Sequence, residues 1–255
     1  MSHYFVQKSS LPEAYHTALS VLHHCGQIVN CSDYQSVCKE ISLTMNVLDP
    51  LKEPRISRCF IGGHHELQQY VMEVCYGILD FMIGQGDHVW EYTYHDRISK
   101  QIFFVIDELR RNPDSRRAVI DVRDNSVDMF NEHPACLQHM QFMIRDGKLN
   151  LQIVMRSNDA AEATFMNAFA FVSLQERVAK NLNVPVGTYT HTANSFHVYK
   201  KDFDLLEHFV DRIERGDDTT FIYKGMYEQL MKDEIPSIEE MVEQQKKKYL
   251  TNNKE

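Results

Sequence analysis

Residues Pro134 to Asp159 read PACLQHMQFMIRDGKLNLQIVMRSND. Two apolar-rich runs flank Asp146-Gly147-Lys148. An Asp-Gly pair between such runs is a strong signal for a two-stranded hairpin. A hairpin brings the start of its first strand beside the end of its second. Cys136 and Arg156 should therefore meet, a thiol beside a guanidinium. A nearby cation lowers a thiol's pKa, and the thiolate is the nucleophilic form. This pairing is a candidate active site.

Downstream, Ala160 to Leu182 reads as a long helix with Phe165, Ala168, Phe169, Val172 and Val178 inward. Asn167 is the polar exception: either a satisfied structural amide or a reader of a ligand edge, since an amide both donates and accepts. After Pro185-Val186-Gly187 a strand, TYTHTANSFHVY, sets His197 and Tyr199 on one face at i, i+2. Asp202 to Arg215 reads as a helix capped by Asp202. A charged helix follows over about residues 236–255 and ends in a tail expected to be solvated or frayed.

Upstream, Ser115-Arg116-Arg117 leads into the strand AVIDV. The two arginines are a solvated pair or a phosphate clamp, because arginine offers a planar fork to phosphate oxygens. Ser99 to Arg110 reads as an amphipathic helix with Ile102, Phe103, Val105, Ile106 and Leu109 inward. Trp90 to Arg97 is rich in aromatics and suits either a ligand wall or plain structure. Glu66 to Ile83 is the best candidate for a central buried helix, with Glu73 inside it. That carboxylate faces the surface or serves as an acid or base in a polar pocket, because an unpaired buried carboxylate is costly. Arg55 and Arg58 follow Pro54 on a loop, as solvated charge or as phosphate contacts. Glu40 to Leu48 alternates like a strand, and Leu11 to Cys25 is a helix stopped at Gly26.

The 255 residues carry a net charge of −9, which argues against a broad nucleic-acid surface. They suit one domain spanning 1–255. MSHYFVQKSS lacks a long apolar run, so a soluble, cytoplasmic protein is expected, with no membrane partner. The six cysteines have no CxxC pairing, and the thirteen histidines no HExxH spacing. Free thiols and no metal site are therefore expected.

Several segments, taken in order, resemble the thymidylate synthase superfamily. NPDSRR is similar to its arginine motif, and PACLQHMQFMIRDGKL to its catalytic-cysteine segment. RSND with Asn167 is similar to its phosphate- and base-reading segment, and FHVY to its His-x-Tyr motif. The order and spacing match from about Glu73 to Tyr199. MRSND and Ser-Phe-His-Val-Tyr are closest to the phage deoxypyrimidine hydroxymethylases. Leu137 stands where the synthases place histidine, Glu53-Pro54-Arg55 stands near their N-terminal phosphate loop, and their apolar C-terminus is missing.

The resemblance implies an α+β fold: a large twisted mixed sheet, helices on one face, and a homodimer formed through the other. It implies 5,10-methylenetetrahydrofolate as cofactor and a pyrimidine nucleoside monophosphate as substrate. Cys136 would add to carbon 6, Glu73 would handle protons and water, Tyr92 would sit near the cysteine, and Asp159 near the pterin. Arg156, Ser157 and Arg55 would hold phosphate, joined by Arg116 and Arg117 of the other subunit. His197 and Tyr199 would bind the sugar. Asn167, in place of the aspartate of the deoxycytidylate enzymes, points to dUMP and a 5-hydroxymethyl product. The alternatives are a dCMP or CMP hydroxymethyltransferase, an atypical thymidylate synthase, and a nucleotide-binding homologue without turnover. A phage source, with the protein acting in the host cytoplasm, fits the same resemblance.

Overall fold

The hairpin around Asp146-Gly147 forms, and it lies inside an eight-stranded mixed sheet. The computed structural model describes residues 1–32, 35–84 and 90–252. In chain order the elements are β1 (His3–Lys8), α1 (Leu11–Cys25), β2 (Gln27–Cys31), β3 (Ser36–Val47), β4 (Ile56–Ser57) and α2 (His64–Tyr76). Next come α3 (Tyr94–Arg111), β5 (Val119–Asp121), α4 (Asn125–Asp128), β6 (Leu137–Arg145), β7 (Lys148–Met155) and β8 (Asn158–Asp159). The chain then forms α5 (Thr164–Leu182), β9 (Val186–Tyr199), α6 (Phe203–Glu214), β10 (Thr220–Phe221), α7 (Glu228–Asp233) and α8 (Ile235–Asn252).

The sheet order is β1-β3-β9-β7-β6-β5, with β2 on β3 and β8 on β9. β7 runs parallel to β9, while β6 and β7 are antiparallel. Asp146 and Gly147 take φ of 51° and 70°, the left-handed pair that a tight two-residue hairpin turn requires.

Alternation along the strands separates the two faces of the sheet. Leu43, Met45, Leu151, Ile153, Phe142 and Tyr189 are buried beneath the helices. Most of their neighbours on the other face are polar and several bond across strands, with Phe5, Met143 and Val154 as apolar exceptions. The Thr44 and Thr192 hydroxyls lie 3.0 Å apart, and Asn46 Nδ2 donates to Gln7 Oε1 at 3.0 Å. A period of two thus yields one apolar face and one mostly polar face. The most buried helix is α5, inside which Phe165, Phe169 and Phe171 are all enclosed. The Tyr15 hydroxyl of α1 bonds the carbonyls of Cys59 and Ala160 at 2.9 and 2.8 Å, pinning the loop after β8. Among the described residues no helix is long and apolar enough to cross a membrane.

Four expectations are corrected. The helix expected over Glu66 to Ile83 ends at Tyr76, and its residues are less enclosed than those of α5. Gly77 stops it with φ of 66°, and a Cβ there would sit 2.1 Å from His95 Nδ1. Phe103 is 78% exposed, because the inward stripe of α3 runs through Ile98, Val105 and Leu109, out of phase with it. Asp202 precedes α6 but makes no capping hydrogen bond. The charged C-terminal stretch is not simply solvated: α8 buries Ile238 and Val242, and Tyr249 meets the Phe81 ring. Residues 253–255 lie outside the described residues.

Candidate active site

The bulged start of β6 and the end of β7 bring Cys136 and Arg156 together. The Arg156 N–H donates to the Cys136 carbonyl at 2.8 Å. Its guanidinium donates to the Ala135 and Pro134 carbonyls at 3.2 and 2.8 Å. Burial pushes the Cys136 thiol up, and the Arg156 charge pulls it part of the way back. The net direction is upward, opposite to the one expected from the arginine alone, because desolvation of the thiolate outweighs the partner's field.

Cys136 lines a cavity of about 260 Å3 together with Ser157, Asp159, Asn167, His197 and Tyr199. β8, lying parallel against β9, sets Asp159 beside His197 in register. Ahead of it, Asn158 Oδ1 accepts from His191 Nε2 at 2.8 Å, and His191 Nδ1 lies 2.9 Å from the Tyr189 hydroxyl. His191 is neutral, its pKa depressed to about 3 by burial, so this buried relay fixes the loop without charge.

Asp159 Oδ1 accepts from the N–H groups of Ala161 and Glu162 at 2.9 and 2.8 Å, which turns the chain toward α5. Its Oδ2 is buried with no partner among the described residues, and burial pushes the carboxyl up. Such an orphaned acceptor suits a ligand donor. The carboxylates of Glu162 and Asp202 approach it, each bridged to Lys201.

His197 is 5% exposed, and its Nδ1 lies 3.1 Å from Ser195 Oγ, which in turn donates to Glu40. With the Ser195 proton committed to Glu40, Oγ accepts from His197 Nδ1–H. That leaves Nε2 as an acceptor for a donor in the cavity. The Tyr199 ring stands edge-on to the imidazole, with centroids 4.9 Å apart.

A second cavity of about 760 Å3 is lined by Glu73, Leu79, Asp80, Trp90, Tyr92 and Glu132, among others. Tyr70 and Tyr94 line both cavities and form their shared wall. Glu73 therefore faces a pocket rather than the surface. Burial pushes its carboxyl up, while the Gln69 amide, donating to Oε1 at 2.8 Å, opposes that. Tyr92 is held near Cys136 and pushed up to about 12, chiefly by burial. The aromatic and apolar walls of this cavity, beside Glu73, fit a flat heterocyclic cofactor.

None of the four arginines expected at a phosphate lines either cavity, although Arg156 adjoins the small one through Cys136. Arg55 is 4% exposed, its guanidinium 4.7 Å from the Tyr223 ring and 5.4 Å from that of Phe169. It is not the solvated loop charge that was one expectation, and it lines neither cavity. Arg117 is exposed and donates to Glu108 Oε1 at 2.9 Å, and Arg116 is exposed beside it.

Sequence reasoning missed Tyr70, Ser195 and Glu40, while Tyr94 falls inside the aromatic stretch Trp90 to Arg97 read as a ligand wall or plain structure. Tyr70 lies one helical turn before Glu73, a spacing that could have found it. Glu40 reaches His197 only through the pairing of β3 with β9, which no local pattern reveals.

The chain is similar to a protein of Methanocaldococcus jannaschii named "Putative thymidylate synthase", at 30% identity over 211 residues, covering 80% of this chain and 95% of that one. It is 29% identical to the thymidylate synthase of Oenococcus oeni over 132 residues, covering 52% of this chain and 41% of that one. Its fold is similar to that of thermostable thymidylate synthase A from Bacillus subtilis, with a TM-score of 0.64 at 17% identity, covering 80% of this chain and 84% of that one. The family model described as thymidylate synthase matches residues 66–242, which span Glu73, Cys136, Asn167 and His197. This chain belongs to the thymidylate synthase family and is an enzyme of its one-carbon transferase class.

Proposed function

We propose that the chain transfers a one-carbon unit to carbon 5 of a uracil nucleotide, dUMP, and releases the 5-hydroxymethyl product. The observation that carries this reading is the pair of adjoining cavities, one holding Cys136, Asn167 and His197 and the other Glu73. Cys136 adds to carbon 6, which makes carbon 5 nucleophilic. Asn167 holds the base edge. His197 Nε2 and Tyr199 take the sugar hydroxyl, and Arg156 and Ser157 take the phosphate. In a homodimer formed through the polar face of the sheet, Arg116 and Arg117 reach the partner's phosphate. 5,10-Methylenetetrahydrofolate, when bound against Trp90, Tyr92 and Asp159, supplies the one-carbon unit. Glu73, whose carboxyl is pushed up by burial, removes the carbon-5 proton and orients water.

Incubation with dUMP and the folate, followed by product mass, tests this. The expected product is heavier than a methyl product by one oxygen, with tetrahydrofolate released and no turnover by Cys136→Ser. Unchanged nucleotide mass would overturn the reading. A methyl product with dihydrofolate would replace it with thymidylate synthesis, the second reading, which the names of the archaeal relatives favour.

A further inference from the structure

The neighbours of Asn167 decide which way its amide faces. An amide pairs with uracil or with cytosine simply by turning over. Uracil offers a carbonyl at carbon 4 and an N–H at position 3; cytosine offers an amino group and a bare nitrogen. A lone asparagine therefore has no reason to prefer one base.

In this protein the amide is not alone. The Tyr70 hydroxyl donates to Asn167 Oδ1. Asn167 is 4% exposed, and its own N–H is committed to the Ala163 carbonyl at 2.9 Å. Among the described residues no protein group pairs with Asn167 Nδ2, and the residue lines the small cavity. Asn158 is engaged by His191, and the Asp159 Oδ2 left open in the same cavity is an acceptor, so it does not duplicate the Nδ2 donor. Leu137, next to the cysteine, is fully buried and brings no polar atom.

We propose that Tyr70 is the positioning residue that selects the base, by holding Asn167 with Oδ1 toward the phenol and Nδ2 toward the ligand. Set opposite carbon 4 of the base, that donor demands an acceptor there, which uracil has and cytosine lacks. Accepting cytosine requires the amide to turn over, and that breaks the bond to Tyr70. The phenol must then accept from Nδ2, and its own proton loses Oδ1. Burial beside Glu73 and Cys136 keeps the phenol protonated, so it remains a donor at working pH. This proposal rests on the reading of the chain as a pyrimidine-nucleotide enzyme.

The test is a competition between dUMP and dCMP, read as the ratio of kcat/KM and, in parallel, of equilibrium binding. The set comprises wild type, Tyr70→Phe, Asn167→Ala and the double variant. Wild type should prefer dUMP. Tyr70→Phe should cut that preference roughly five- to tenfold, the scale of one hydrogen bond. In the Asn167→Ala background the same change should leave the ratio alone, because the two residues act as one unit. Equal losses on both nucleotides in Tyr70→Phe would overturn the proposal and make Tyr70 only a wall. Full uracil preference in Asn167→Ala would overturn it too, by placing base reading elsewhere. The binding ratio stands without turnover, so a failure of catalysis counts against the proposed reaction and leaves the Tyr70 result intact.

Discussion

The Arg156 N–H bonds the Cys136 carbonyl at 2.8 Å, while its guanidinium bridges the carbonyls of Pro134 and Ala135. One residue thus fixes the backbone at Cys136 and supplies a counter-charge to its thiol. Burial pushes the thiol up and this charge opposes it, so removing the charge should raise the thiol further. Alkylation of Cys136 by iodoacetamide, followed by peptide mass against pH, should move to higher pH in Arg156→Gln. Arg156→Lys, which keeps a cation, should move less. The peptide readout matters because Cys25 is exposed and will react as well. Coincident curves for wild type and Arg156→Gln would mean that the charge does not reach the sulfur.

Glu73 carries a cost to the fold that the proposed acid–base role would explain. Burial raises its carboxyl above the ordinary glutamate value of about 4.3. A group raised on folding contributes its stability below the unfolded value and loses it as pH rises through the folded value. Ionised Glu73 therefore weakens the fold at neutral pH. Glu73→Gln should melt higher than wild type at pH 8, and the gap should close toward pH 4. For a chain of this size each kcal/mol corresponds to about 2–4 °C. The same variant should lose activity by roughly a hundredfold or more, as expected for a missing acid or base. A gap in melting temperature that is flat across pH would argue against a raised carboxyl.

The hairpin was legible because its information is local: Asp146-Gly147 sets the turn, and the turn sets Cys136 against Arg156. Asn167, His197 and Tyr199 were legible for a different reason, since they lie in motifs whose spacing survives in the sequence. Phe103 was misread because apolar residues at 102, 103, 105 and 106 fit two helical phases, and only the packing of Ile98 and Leu109 chooses between them. Arg55 was misread because a loop position gave no sign of the Phe169 and Tyr223 rings that enclose it. The direction of the Cys136 shift depends on burial, which a sequence does not state. Glu40 is the clearest limit: it lies more than 150 residues from Ser195, and only the strand register joins them.

That register gives a separate expectation for the sugar site. Ser195 links Glu40 to His197 Nδ1 and so fixes which imidazole nitrogen accepts. Ser195→Ala removes the link without touching the cavity face of His197. The nucleotide KM should rise roughly fivefold, the scale of one hydrogen bond, with kcat little changed. Glu40→Gln should behave likewise, because the amide can turn its donor toward Ser195 and reverse the relay. A fall in kcat at constant KM would assign the relay to chemistry rather than to sugar binding.

The arginines before β5 bear on the assembly. Arg116 and Arg117 are exposed and line neither cavity, so a single chain gives them no role at the phosphate. Arg117 is also tied to buried Glu108, and its removal would leave that carboxylate poorly compensated. Arg116 is the cleaner probe, because its side chain makes no ion pair among the described residues and only its carbonyl is engaged, by Gln141 at 2.9 Å. Loss of a charged contact to phosphate in Arg116→Ala should raise the nucleotide KM roughly ten- to a hundredfold. If the sites are shared, Arg116→Ala chains and Cys136→Ser chains should complement each other. One hybrid site then combines an intact cysteine with the partner's intact arginine. Mixing the two variants under conditions that exchange subunits should restore turnover at low dUMP above that of either parent. A mixture that shows only the averaged activity of its parents would confine Arg116 to its own chain and remove it from the phosphate site.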